Sequence, residues 1–231
     1  FIYILLTSLT FLVVGCQNES EEIRLINQAE RLFDAYPDSV ITTLDSIPLP
    51  EEMSPRLIAR WCMLYARAAD KIEDEMPYTN QLEIALKYYQ KKKMREEEAE
   101  IGLYLGRSYV EDKEYEKAMR TYSDALKVAL AIKDYNRAGY ICSYMGDLYE
   151  VDLRYILAAE KYKESGKYFH LANNTTSYVR AFVNEGRSYM SVDSNYLALA
   201  SLKQAEVIMD SLNVENVKTY VYNGLGLSLI H

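Results

Sequence analysis

Three cysteines in 231 residues are too few for a fold stapled by disulfides. Only Cys62 and Cys142 lie beyond the N-terminal segment, both inside apolar helical patterns, which favours core packing over redox chemistry. The two histidines, His170 and His231, are too far apart to share a metal or a catalytic triad, and His170 reads as a polar residue at a helix end. Basic residues are outnumbered 26 to 34, giving a net charge of −8 and a pI near 5.0; this argues against a nucleic-acid ligand, because phosphate binding draws on clustered Lys and Arg. The one basic cluster, "KYYQKKKMR" at residues 87–95, runs directly into Glu96, Glu97, Glu98 and Glu100 and reads as a solvated helix end. "NGLGLSL", from Asn223, is no phosphate loop, since it lies inside a helical period and follows no strand. Without a catalytic constellation, the expectation is a protein that is not an enzyme and uses neither cofactor nor metal. Nine glycines and five prolines against 22 tyrosines describe a helical chain filled with aromatics.

Charge is also missing locally. Residues 1–15, "FIYILLTSLTFLVVG", carry none, and a run of that length matches the apolar part of a secretion signal, while a spanning helix needs about 20 apolar residues. Gly15 before Cys16, with Val13 and Val14 ahead of it, resembles the lipobox of bacterial lipoproteins, in which the cysteine is acylated and becomes the first residue after cleavage. That resemblance implies a lipid anchor at Cys16 and an acidic tether, "QNESEE", in place of a buried thiol ending a first helix. No initiator Met and no basic segment precede Phe1, so the expectation is that the true start is missing.

What dominates the rest is a 40-residue period. Gly106, Gly146, Gly186 and Gly226 recur in register, followed three residues on by Tyr109, Tyr149 and Tyr189, and twelve on by Ala118, Ala158 and Ala198. Sixteen on come Tyr122, Tyr162 and Leu202; nineteen on come Ala125, Ser165 and Ala205. One step back, Ala66, Leu82 and Ala85 take the corresponding places. A helical glycine costs about 1 kcal/mol relative to alanine, so its periodic return predicts close approach of a second helix, with the alanine twelve residues on as its partner. Polar turns around Asp112, Asp152 and Asp193 separate the two helices of each unit. One such hairpin cannot bury its own apolar face, so neighbours must stack on it.

This pattern resembles the tetratricopeptide repeat (TPR), with a small residue and a tyrosine in the first helix and an alanine, aromatic, alanine series in the second. The resemblance implies an all-α, right-handed superhelix of antiparallel helix pairs. The period is 40 where the family has about 34. Cys62, Gly102, Cys142, Phe182 and Tyr222 stand at the usual Trp place, and polar breaks such as "KDYN", "ANNTT" and "LNVEN" replace the usual boundary proline. The expected organisation is a truncated signal at 1–15, a tether at 16–22, an atypical helix pair at 23–50 and an array over 51–231. Within the array, units fall near 59–98, 99–138, 139–178 and 179–218, with a partial unit at 219–231. In the atypical pair the first helix spans about 19–35, Pro37 breaks the chain, a short helix follows, and Pro48 and Pro50 stop it. The wording "AYPDSVITTLDSI" is similar to the start of repeat lipoproteins of Bacteroidetes.

The family's concave face, formed by first helices, implies a groove for a protein or peptide partner. Following the family's build, groove residues are Arg67, Arg107, Asp147 and Arg187, with Arg60, Tyr140, Arg180 and Tyr220 a turn or two away and Tyr104, Tyr144 and Asn184 beside the glycines. Arginines among aromatics in an acidic chain suit a carboxylate or acidic peptide, the alternative being salt bridges to neighbouring Asp and Glu. The lysine and asparagine set of carboxylate-clamp repeats is not matched: Met63, Leu103, Ser143 and Val183 occupy the lysine place. The leading expectation is a scaffold anchored as a lipoprotein in the bacterial cell envelope. A sensory N-terminal part of a longer membrane-bound regulator is the second reading, and a glycan-binding lipoprotein using tyrosines as sugar platforms is the third.

Overall fold

A computed structural model describes residues 21–48 and 52–230, with 227–230 described by backbone alone. The signal segment, Cys16 and Pro50 lie outside the described residues. Two compact units divide the chain, residues 1–94 and 95–231.

The first unit contains α1 (residues 21–32), α2 (Pro37–Asp45), α3 (Pro55–Ile72) and α4 (Thr79–Lys92). Pro37 and Pro55 sit in the first turns of α2 and α3, where the missing N–H is not needed, so Pro37 opens a helix as well as ending the preceding turn. α2 packs on α3 and α3 on α4. Leu44, Cys62, Ala66, Leu82 and Ala85 are wholly buried. The Trp61 indole donates to the Leu44 carbonyl at 3.2 Å and the Tyr89 hydroxyl to the Ala59 carbonyl at 3.0 Å, so both large aromatics are buried with their polar ends satisfied.

The second unit runs α5 (Arg95–Glu111), α6 (Tyr115–Ala131), α7 (Tyr135–Val151), α8 (Tyr155–Leu171), α9 (Thr175–Met190), α10 (Asn195–Ser211), a 3-10 turn (Glu215–Val217) and α11 (Lys218–Ile230). Each helix packs on the next in chain order, and first helices also meet across units, α5 with α7 and α9 with α11. This is the stacked-hairpin, all-α architecture that the 40-residue period predicts; the described residues contain no strand. Positions 99, 139 and 179 fall inside α5, α7 and α9, one turn past each helix start.

The small residues act differently from expectation. A Cβ on Gly146 would lie 2.7 Å from the Tyr162 ring, and one on Gly186 would lie 2.8 Å from Leu202 Cγ. Gly106 lies against the Tyr122 ring in the same way. The glycine therefore receives the large side chain sixteen positions on, not the alanine twelve on. Ala118, Ala158 and Ala198 are fully buried nearby, and only at Gly186 does the alanine approach directly, its carbonyl oxygen 3.2 Å from the added Cβ. Among the described residues, a Cβ at Gly226 would meet nothing within 4 Å.

The turns repeat every 20 residues. Glu73, Lys93, Lys113, Lys133, Leu153, Asn173, Asp193 and Asn213 all adopt the left-handed region, with φ between 54 and 61 degrees. Behind each lies the helix-ending pattern in which two successive N–H groups turn back to orphan carbonyls, as at Leu153 to Glu150 (2.9 Å) and Arg154 to Tyr149 (2.8 Å). None of the eight is glycine, although this conformation costs an L-residue roughly 1–2 kcal/mol. Leu153 is 71% exposed, so its side chain contributes little by burial. Leu153→Gly should raise stability by about 1 kcal/mol in chemical denaturation, while Leu153→Ala, which keeps the strain, should not.

Candidate functional site

The first helices of the second unit carry the expected groove positions as a stripe at 40-residue steps: the buried Tyr104 and the partly open Arg107 on α5, Tyr140, Tyr144 and Asp147 on α7, and Arg180, Asn184 and Arg187 on α9. Between α5 and α7 the stripe opens into a cleft of about 150 Å³. Its floor is aromatic, the Tyr144 ring lying stacked on the buried Tyr122 ring at 6.0 Å and 12 degrees. Val110, Leu148 and Val151 form apolar walls; Arg107, Glu111 and Asp147 supply charges of both signs at the rim. The Arg107 guanidinium lies over the Tyr144 face, 5.5 Å from its centre.

Three of the residues expected in a groove, Arg107, Tyr144 and Asp147, are thus brought together. Tyr104 is buried, its hydroxyl 3.4 Å from Glu100. Tyr140 packs edge-on against Phe169 and its hydroxyl meets Ser177 at 3.4 Å. Arg180 and Arg187 are exposed on α9, and the half-buried Tyr220 hydroxyl donates to the side-chain Oδ1 of Asn184. Arg60 and Arg67 lie half-buried on α3 in the first unit, where Arg60 pairs with Glu30 at 2.7 Å and Asn27 at 2.8 Å, so the salt-bridge alternative holds for that arginine. Tyr122 was legible as core but not as cleft floor. Val110, Glu111, Leu148 and Val151 continue the stripe one turn further along α5 and α7, a periodicity that was available in the sequence.

Asp147 is open to solvent at its edge, yet neighbours crowd its carboxyl. That desolvation raises its pKa; the 2.6 Å bond from the Tyr162 hydroxyl and the charge of Arg187 oppose the rise, and Glu150 adds to it. Burial also raises the Cys142 thiol, to about 12, and Cys62 further, so both are inert packing groups, as expected. Among the described residues no group of three or more His, Cys, Asp or Glu is placed to hold a metal. Only five tyrosines are buried among the described residues, Tyr89, Tyr104, Tyr109, Tyr122 and Tyr162, and of these only Tyr122 and Tyr162 fully. The remaining described tyrosines are half-buried or exposed, more open than their repeat offsets imply.

Glu185 on α9 is only 5% exposed, and burial raises its pKa, with the charge of Lys163 opposing the rise. A carboxyl whose pKa is raised by folding stabilises the fold below its unfolded value, and that contribution is lost as pH rises through the folded value. Glu185→Gln should therefore be more stable than the parent at pH 7, with the difference closing toward pH 4 in paired thermal melts.

No protein-family model matches the sequence, and neither does any curated protein. Solved structures do match by fold. The apo form of RapI superposes with a TM-score of 0.69 at 12% identity, covering 87% of this chain and 74% of that one. The putative kinesin light chain repeats of Podosopora anserina, described as nearly identical TPR-like repeats, give 0.62 at 12% identity over 85% of this chain and 98% of that one. Bacillus thuringiensis PlcR, solved in complex with the peptide PapR7 and DNA, gives 0.52 at 15% identity over 88% and 75%. Stacked hairpins, a recurring glycine under a large side chain and these superpositions agree: the chain has the fold of a TPR-like α-solenoid.

Proposed function

We propose that the chain is a non-enzymatic scaffold that holds a protein or peptide segment in the α5–α7 cleft. The observation that carries this reading is the cleft itself, a ring-paved floor with apolar walls and a charged rim, open on the face formed by first helices. Such a lining gives affinity through buried apolar and aromatic area and orientation through a few polar groups. The similarity of fold to PlcR, solved with a bound peptide, supports it. The test is a selection of peptides from an unbiased display library on the purified chain, repeated on Tyr144→Ala. Peptides enriched on the parent and lost on the variant are expected; equal enrichment on both, or none on the parent, contradicts the reading.

The scaffold reading includes attachment to a bacterial membrane through acylated Cys16. Its support is the uncharged run before Gly15 and the acidic tether after Cys16. Among the described residues no helix is long and apolar enough to cross a membrane. Expressed from its complete gene, the protein should incorporate labelled fatty acid and lose the label in Cys16→Ser; an unlabelled parent rules the anchor out.

A further inference from the structure

We propose that α9 carries a docking strip for an acidic segment with two carboxylates about 10 Å apart, and that the α5–α7 cleft takes one apolar side chain of the same segment. This rests on the scaffold reading and adds the chemistry of the partner. Arg180 and Arg187 are exposed and seven residues apart, two turns on one face of α9. Neither forms an ion pair among the described residues, whereas Arg60, Arg95, Arg120, Arg137 and Arg154 each do. In a chain with 34 acidic residues, Arg180 and Arg187 stay exposed on one stripe with no direct ion pair, although the charge of Arg187 reaches Asp147 on the neighbouring helix. Asn184 lies between them, and because its side-chain Oδ1 accepts from the Tyr220 hydroxyl, its Nδ2 group is left as a donor. The strip Arg180, Asn184, Arg187 is therefore made of donors, and its complement is a set of anionic acceptors, best matched by carboxylates engaging guanidinium forks. The spacing corresponds to seven residues of a partner helix at 1.5 Å each, or to three of an extended strand at about 3.3 Å each.

Asp147 sets the neighbouring boundary. It occupies Arg187's repeat position on α7, its charge faces Arg187, and the Tyr162 hydroxyl holds its carboxyl. Together with Glu150, which accepts from Ser188 at 2.6 Å, it makes the α7 side unfavourable for a uniform polyanion such as nucleic acid. An acidic stretch that ends where the cleft begins, followed by one large apolar residue, satisfies both surfaces. A cleft of about 150 Å³ has room for one such side chain.

The experiment uses the peptides selected by display on the parent chain. Their sequences should show paired acidic residues beside a large apolar one. Fluorescence anisotropy of a synthesised peptide should show about tenfold or greater weakening in Arg180→Ala and in Arg187→Ala, tightening in Asp147→Asn, and weakening with salt. All three positions are exposed, and circular dichroism checks that the variants fold. Selected peptides without acidic pairs, or bound by both arginine variants as tightly as by the parent while Tyr144→Ala loses them, overturn the strip and leave the cleft reading intact. No enrichment on the parent overturns both. An oligodeoxynucleotide that binds the parent as tightly as the peptides do, and loses affinity in the same arginine variants, overturns the acidic-peptide assignment.

Discussion

Gly106→Ala should destabilise the chain by about 1–3 kcal/mol, the range for adding a methyl group to a packed core. The same change at Gly226 should leave stability unchanged or raise it by up to about 1 kcal/mol, the helical preference of alanine over glycine. The two glycines hold the same repeat position and sit inside helices, so backbone propensity alone predicts the same gain at both. They differ in what a methyl group would meet among the described residues: the Tyr122 ring at Gly106, and nothing within 4 Å at Gly226. Tyr122 is 1% exposed and packed on both sides, so its ring cannot swing away without opening the interior of the hairpin. Denaturant midpoints of the two variants, measured against the parent, carry the comparison. A gain at both positions would mean that the glycine is not a socket.

Tyr122→Ala should cost about 3–5 kcal/mol, the usual range for deleting a large buried aromatic. The ring fills the space above Gly106, supports the stacked Tyr144 and forms the cleft floor, so its loss removes packing on three sides. Two effects should appear together in the variant: a large drop in the denaturation midpoint and loss of the peptides that the parent enriches. Tyr122→Phe keeps the ring and should stay within about 1 kcal/mol of the parent. A Tyr122→Ala variant as stable as the parent would place the core elsewhere.

The stacked-hairpin architecture is written in the sequence because a period of 40 brings the glycine back four times and the tyrosine and alanine positions three times in register. The pairing of those positions was less legible. Offsets of twelve and sixteen both fall on the buried face of the second helix, and only the way the hairpin closes decides which residue lands on the glycine. The helix ends were harder still, because left-handed caps usually announce themselves as glycine, and here lysine, leucine, asparagine and acidic residues take that place at 20-residue intervals. For the site, Arg107, Tyr144 and Asp147 emerge from the repeat position, but the bond from Tyr162 to Asp147 crosses between two helices and has no sequence signature. Arg60 illustrates the limit of transferring a position by register: it aligns with Tyr140 and Arg180, yet in its own unit Glu30 and Asn27 engage it.

The most direct test of the architecture is a double-mutant cycle between Gly106 and Tyr122. If the ring sits on the glycine, Gly106→Ala is destabilising in the parent but neutral or stabilising in the Tyr122→Ala background, where the space has been vacated, giving a coupling of about 1–3 kcal/mol. An alanine at 106 that costs the same in both backgrounds would contradict the seated-ring packing on which the stacked hairpins, the cleft floor and the proposed partner surface depend.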